Sequence, residues 1–231
     1  MSPRLDFQDG PVHALADRDP RLEPLLVAVL NRVGQEEGLV GGRPRKPIEA
    51  LLRAVVGQQL SGAAASTIFS RVLAALPRRA VTTGGVLALP ESTLRSAGLS
   101  AMKVRFVRNI CSAIESGALD LAKVSAMADS DAAAALQVVS GIGEWTASMY
   151  LIFQLRRPDI LPCLDVGVQR GLQLAYGLKE RPTAEYVMRV GEKWRPARTL
   201  ACRFLWTALN EGIAVDDIRA ARAKVRRGRS S

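Results

Sequence analysis

The sequence predicts an all-α protein. Apolar residues recur at helical spacing in segment after segment, a capping residue or a proline stands before most of those segments, and no run alternates as a strand should over more than a few residues. With 231 residues, 48% of them hydrophobic, the chain has enough material for one large domain or two small ones sharing a core.

The first 20 residues carry Pro3, Gly10, Pro11 and Pro20 among alternating charges and read as an irregular arm. A helix begins from Arg21, with Pro24 near its start, where a missing N–H is tolerated. Residues 38–47, rich in Gly, Pro and base, form a loop; Pro47 then opens a helix with Ile48, Leu51, Leu52, Val55 and Val56 on one face. Ser61 caps the next helix, and Pro77, Arg78 and Arg79 end it. Further helices are introduced by Pro90, Ser100 and Ser130, with a short one over residues 121–127. Another follows Gly143 and runs through 148–155, and Asp165, Thr183 and Pro196 introduce the last three, for about ten in all. The best strand candidate, residues 80–83, reads as a turn.

No repeat of fixed period and no long linker divides the chain, so the helices are expected to pack as two lobes of one body. The expected division is an N-terminal arm and helix (1–46) packing with the C-terminal lobe, a central lobe (47–164), a C-terminal lobe (165–218) and a basic tail (219–231). That tail holds six basic residues and no acid, and reads either as a helix end fraying into a phosphate-reaching segment or as solubilising charge.

Composition narrows the chemistry. Lys and Arg number 32 against 22 Asp and Glu, a formal net charge of +10, which makes a polyanion the first partner to consider. The single histidine, His13, lies in a polar N-terminal stretch, which argues against a Ser-His-Asp triad or a multi-histidine metal site. Cys111, Cys163 and Cys202 are far apart and form no C-x-x-C, so neither a disulfide framework nor a cysteine-ligated metal site is supported. The N-terminus lacks an apolar h-region and no run approaches the length of a membrane span, so a soluble, intracellular protein without a membrane partner is expected.

The most informative segment is 136–155, LQVVSGIGEWTASMYLIFQL. Two helical patterns face each other across Ser140, Gly141, Ile142 and Gly143; the glycines permit φ > 0, and Ile142 plugs the gap between the helices. Such a turn is either an ordinary αα-hairpin or a concave anion site in which backbone N–H groups and a helix N-terminus hold a DNA phosphate. Asp165 follows 22 residues after Gly143 as the lone carboxylate of an apolar helix entry, LPCLDVGVQRG. It suits an N-cap, and behind a hairpin that holds DNA it is also placed to face a sugar C1′.

The runs VVSGIGEWTASMY and LPCLDVGVQRG, with VVGQQLSGAAAS upstream and WRPARTLACRFLW downstream, resemble the helix-hairpin-helix DNA glycosylases, and within them the 3-methyladenine DNA glycosylase II branch. The resemblance extends from about Pro47 to Gly212 and rests on four separated blocks in the family's order. It implies a monofunctional hydrolase of N-glycosidic bonds that flips alkylated bases out of double-stranded DNA, leaving an abasic site in base excision repair. It also implies an active-site cleft between the lobes, a monomer, and a cytoplasmic, nucleoid-associated location.

By the same resemblance, Asp165 is the catalytic carboxylate, stabilising the oxocarbenium-like sugar and orienting or deprotonating the attacking water. Trp145 and Trp206 fall on base-pocket positions, and Met149 stands where a pocket tyrosine is expected; without the resemblance each tryptophan would read as core, as Trp194 still does. Phosphate-binding amides fall on Gly141, Gly143 and Thr146, beside an unfavourable charge at Glu144 unless that side chain points to solvent. No cofactor is required, but backbone carbonyls of Gln137, Val139 and Ile142 fall where relatives hold a monovalent cation, Na+ or K+.

The residues that fill the gap left by the flipped base fall on Gln59, with Gln58 beside it, where the best-known member has an apolar wedge. Trp145 occupies the position of the lysine nucleophile of glycosylase-lyases, so no Schiff base can form there. The additional N-terminal α/β lobe of the branch's type enzyme is expected to be missing or reduced to an arm. Two other readings remain: a catalytically silent helix-hairpin-helix DNA-binding protein and a glycosylase-lyase.

Overall fold

Buried apolar stripes on short capped helices build the whole molecule. A computed structural model describes residues 10–36, 39–41 and 45–229, without the side chains of 228 and 229. Among the described residues there is no strand, and fourteen α-helices follow one another: α1 (Pro11–Arg18), α2 (Glu23–Val33), α3 (Pro47–Gly57), α4 (Gly62–Ala75), α5 (Thr83–Ala88), α6 (Glu91–Ser96), α7 (Ala101–Glu115), α8 (Leu121–Ala126), α9 (Asp129–Gln137), α10 (Glu144–Phe153), α11 (Val166–Tyr176), α12 (Ala184–Gly191), α13 (Arg198–Asn210) and α14 (Val215–Arg229). None of them is long and apolar enough to cross a membrane.

The capping grammar holds at most starts. Ser61, Ser100, Asp165 and Thr183 accept hydrogen bonds from the backbone N–H three residues on, satisfying a donor that the first helical turn leaves unpaired. At Ser130 the structure differs: α9 starts at Asp129 behind Ala128, so Ser130 lies inside the first turn, where Asp129 and Asp131 complement the helix dipole. Two helices escape the sequence pattern. Within the expected irregular arm, Pro11 opens α1, which buries only Val12 and Leu15; Pro3 lies outside the described residues. At 83–88, a helix with two glycines forms because the Thr82 hydroxyl caps Gly85 N–H at 3.1 Å.

By packing, the described residues divide into one unit of 10–41 with 158–229 and a second of 45–157, so the division falls at Pro158 rather than at Asp165. In the first unit α2 is buried from Pro24 to Leu30, the mark of a central helix, with α13 and α14 packed against it. The expected tail is largely structured: residues 219–229 continue α14, anchored by Ile218, Ala221 and Val225, with Arg219, Arg222, Lys224, Arg226 and Arg227 exposed. In the second unit α3 packs on α4, α7 and α10, and α9 pairs with α10.

One buried polar junction ties the two chain segments of the first unit. Asp19, 1% exposed, accepts the Tyr176 hydroxyl at 2.5 Å and the Trp194 indole N–H at 2.7 Å. The Arg21 guanidinium stacks 4.0 Å from the Tyr176 ring centre and donates to that residue's carbonyl. Burial, and then the bond to Asp19, push the Tyr176 phenol well above its ordinary range. Trp194 is wholly in the core, as its sequence context suggests. Asp19→Ala strands two buried donors and is expected to lower unfolding free energy by roughly 3 kcal/mol, read from urea titration.

Candidate functional site

In the second unit the chain turns sharply between α9 and α10. Ile142 is buried beneath the turn and its N–H donates to the Val139 carbonyl at 3.0 Å. Gly141 has φ +107°, and a Cβ there would lie 2.5 Å from Phe106 of α7, so both backbone and packing exclude a side chain. Gly143 is the N-cap of the ten-residue α10, with no side-chain cap, and a Cβ on it would meet nothing within 4 Å. The first turn of α10 therefore presents backbone amides and the positive end of the helix dipole without side-chain cover. Glu144 is exposed. Thr146 is 1% exposed and its hydroxyl accepts from Gln58, so its side chain serves the fold.

The two glutamines after α3 part ways. Gln58 turns inward, its Nε2 donating to the Gly141 carbonyl at 3.0 Å and to the Thr146 hydroxyl at 2.8 Å, which uses both donors. Gln59 is exposed with φ +57°, a left-handed conformation that costs a non-glycine residue energy. Leu60 beside it is 39% exposed. The carbonyls of Val56 and Gln58 at this helix end both accept from Lys103 Nζ at 2.7 Å; partial burial holds that ammonium's pKa below its ordinary value.

Trp145 is half-buried, and a Cβ on Gly57 would lie 3.9 Å from its ring edge. Met149 is buried at 8% exposed. Tyr150 is 1% exposed, and its hydroxyl has no hydrogen-bond partner among the described residues; burial pushes this phenol up to about 12. The carbonyls of Gln137, Val139 and Ile142 lie at the end of α9 and in the following turn, a set of neutral oxygens that suits a weakly charged cation.

In the first unit Asp165 is the N-cap of α11. Its Oδ1 accepts the Val168 N–H at 2.7 Å and the Trp206 indole N–H at 2.8 Å. The indole reaches it because α11 and α13 pack unusually close. A Cβ on Gly167 would sit 2.7 Å from Trp206 Cδ1, and one on Gly171 would sit 2.6 Å from Leu205 Cβ and 2.9 Å from its carbonyl oxygen. Entry to α11 is fixed by buried Gln169, which donates to the Cys163 carbonyl at 3.0 Å. The start of α13 is held by Arg198 on Asp159 at 2.7 Å and by Thr199, whose N–H and hydroxyl bond Pro158 and Ile160. Behind the site, the wholly buried Cys202 thiol is pushed up by burial and then by the Asp165 charge, so it stays a neutral thiol.

Of the residues marked from sequence, the structure joins Asp165 with Trp206, and Gln58 with Gly141 and Thr146. Sequence reasoning missed Gly167, Gly171, Gln169, Arg198 and Lys103. The glycines alone left a usable signal: two of them four residues apart inside a helix, where glycine is unfavourable, mark a close approach of another helix.

A family model described as HhH-GPD superfamily base excision DNA repair protein matches residues 52–196, more than half of the chain. The chain belongs to this superfamily. It is 32% identical over 170 residues, 70% of this chain and 72% of the relative, to DNA-3-methyladenine glycosylase 1 of Schizosaccharomyces pombe. It is 26% identical over 168 residues to the putative DNA-3-methyladenine glycosylase YfjP of Bacillus subtilis, covering 69% of this chain and 58% of that one. Among solved structures, the S. pombe 3-methyladenine DNA glycosylase Mag1 in complex with abasic DNA superimposes with a TM-score of 0.79 at 28% identity, covering 87% of this chain and 96% of that one. A DNA-3-methyladenine glycosidase from Bacillus halodurans gives 0.72 at 28% identity, covering 92% and 97%.

In this HhH-GPD protein the two hairpin glycines differ sterically, Gly141 packed against Phe106 and Gly143 open. Gly141→Ala is expected to destabilise the fold by roughly 3 kcal/mol, through the clash with Phe106 and the positive φ. Gly143→Ala is expected to leave the melting temperature nearly unchanged while weakening duplex DNA binding about tenfold, because the added methyl projects into the open space at the start of α10 that a phosphate would enter. Thermal unfolding and fluorescence anisotropy on both variants check this.

Proposed function

We propose that the protein is a monofunctional DNA glycosylase that removes alkylated bases from double-stranded DNA and leaves an abasic site for base excision repair. The observation that carries the reading is the Asp165 carboxylate, fixed at a helix N-terminus by the Val168 amide and the Trp206 indole. Its support is the superfamily membership and relatives named as 3-methyladenine glycosylases.

In this reaction the bond between sugar C1′ and the base nitrogen breaks, and the electron pair leaves with the base. A purine alkylated at N3 or N7 carries positive charge, departs neutral, and needs no protonation by the enzyme. The remaining task is to stabilise the cationic sugar and direct water to C1′, and Asp165 supplies the negative charge and accepts or orients the water proton. In this reading the amides of Gly141, Gly143 and Thr146 serve a phosphate, Gln59 serves the gap in the helix, and Trp145, Met149 and Trp206 serve the base. The Trp206 indole acts twice in this reading, as a stacking face and as the donor that orients Asp165. Carbonyls of Gln137, Val139 and Ile142 would hold a Na+ or K+, whose charge would support the hairpin, and no step of base release runs through it.

Trp145 fills the place where a lyase needs an amine nucleophile, so strand cleavage through a Schiff base is absent from the scheme. The buried thioether of Met149, in place of a tyrosine, gives a less constrained pocket and a lesion range broader than 3-methyladenine. The protein acts as a monomer in the cytoplasm, on the nucleoid.

Duplexes carrying single 3-methyladenine, 7-methylguanine, hypoxanthine, ethenoadenine or N1-alkylated bases test this directly. Wild type is expected to release more than one of them, and Asp165→Asn to bind lesion DNA as before but release base about 10²-fold more slowly or less. Unchanged release by Asp165→Asn would remove the carboxylate from the mechanism, and loss-free binding with no release by wild type would favour the silent DNA-binding reading. Borohydride trapping above background would restore the lyase.

A further inference from the structure

The turn that carries Gln59 is held more firmly than a surface turn needs to be. Helix α3 ends at Gly57, and the last carbonyls of a helix have no donor of their own. Lys103 of α7 supplies one: its ammonium bridges the Val56 and Gln58 carbonyls, both at 2.7 Å, on either side of the turn's first glycine. From the other side, the Gln58 carboxamide spends its two protons on the Gly141 carbonyl and the Thr146 hydroxyl, one in the hairpin and one in the first turn of α10.

Helix α7 closes the circuit. Phe106, three residues and so nearly one turn beyond Lys103, is the side chain against which Gly141 is pressed. One face of α7 thus touches both the turn after α3 and the hairpin, and Gln58 joins these two directly. Between the two bonded carbonyls and the exposed Leu60, Gln59 is left in the left-handed conformation at φ +57°, with its side chain at the surface. A non-glycine residue holds that conformation only where its surroundings fix it: here a turn closed by the Leu60 N–H on the Gly57 carbonyl at 3.1 Å requires it, and Gln58 and Lys103 tie that turn to the hairpin and to α7.

We propose that Gln58 and Lys103 are positioning residues for base flipping, which lock the turn after α3 onto the phosphate-binding hairpin so that Gln59 stands ready to fill the space left by the departing nucleotide. The proposal rests on the glycosylase reading above. It deepens that reading by making the wedge and the hairpin one rigid element: a phosphate seated on the hairpin fixes where Gln59 enters the duplex. The cost of disorder in the turn would otherwise be met at the moment of flipping.

The test is a double-mutant cycle on the full chain, with Gln59→Ala, Gln58→Ala and Gln58→Ala/Gln59→Ala, alongside Lys103→Met and Lys103→Arg. Two readouts are used: single-turnover release of methylated bases from dimethyl-sulfate-treated duplex DNA, and fluorescence of 2-aminopurine placed beside a tetrahydrofuran abasic site, which reports whether the gap is filled. Gln58→Ala and Lys103→Met are each expected to slow release about tenfold and to shift the 2-aminopurine signal toward that of Gln59→Ala, with a loss in release larger than any loss of affinity for undamaged duplex. In the Gln59→Ala background the Gln58 substitution is expected to add less than twofold, and Lys103→Arg, which keeps the charge, to recover most of the rate.

Full additivity of Gln58→Ala with Gln59→Ala, or a normal 2-aminopurine signal in both Gln58→Ala and Lys103→Met, would overturn the proposal. Should Gln58→Ala fail to fold, Lys103→Met in the two Gln59 backgrounds completes the same cycle, with additivity again overturning the coupling and non-additivity supporting it. Asp165→Asn run beside them separates the failures: if it still releases base, the glycosylase reading falls; if it does not and the cycle is additive, only the coupling falls.

Discussion

The arrangement of the first unit depends on how closely α11 and α13 approach. Glycine at 167 and 171 removes the two side chains that would hold the helices apart, and Leu205 and Trp206 move into the space. The consequence is chemical as well as steric, because the indole N–H of Trp206 then meets Asp165 Oδ1 at 2.8 Å while the Val168 amide reaches the same oxygen at 2.7 Å. A carboxylate with one oxygen held by two donors has a fixed orientation before any substrate arrives. That preorganisation is what an electrostatic role at a developing cation requires.

How much of this was legible in the sequence varies with the physics that decides each feature. Caps were legible, since Ser61, Ser100, Asp165 and Thr183 act on amides only three residues away, and local chemistry decides them. The 136–155 segment was legible for the same reason: its two glycines and intervening isoleucine determine a local turn. Helix α5 was not, because TGGVLA has poor helix propensity and forms on the Thr82 cap and the packing of Val86 against its unit. The residues of α14 past Arg219 read as tail because their charge dominates the pattern, while the apolar anchors Ile218, Ala221 and Val225 gain meaning only from α2. Gln58 and Gln59 are identical letters in sequence; the left-handed backbone at Gln59 sends one side chain inward and the other outward. The bond from Trp206 to Asp165 spans 41 residues and no spacing rule announces it.

Charge, which first suggested a polyanion, is unevenly placed. Six of the basic residues lie in the stretch from Arg219 onward, and without them the formal charge falls from +10 to +4. At the hairpin, the groups that the proposed function assigns to a phosphate are backbone amides and a helix N-terminus rather than basic side chains, and the adjoining Glu144 is exposed. Such a grip depends on backbone geometry, which is why Gly141 is wedged against Phe106 and why Thr146 spends its hydroxyl on Gln58. It also carries little sequence information, as suits an enzyme that must find damage in any sequence.

The central claim is that Asp165 acts from an orientation set by the Trp206 indole. Single-turnover base release by Trp206→Phe tests it most directly, since phenylalanine keeps an aromatic face for stacking and removes only the N–H donor and part of the ring. The expected result is a fall of about tenfold or more in the rate of release, with affinity for a tetrahydrofuran abasic duplex within about twofold of wild type. A wild-type rate in Trp206→Phe would contradict the claim, showing that the bond between indole and carboxylate belongs to the fold and not to the reaction.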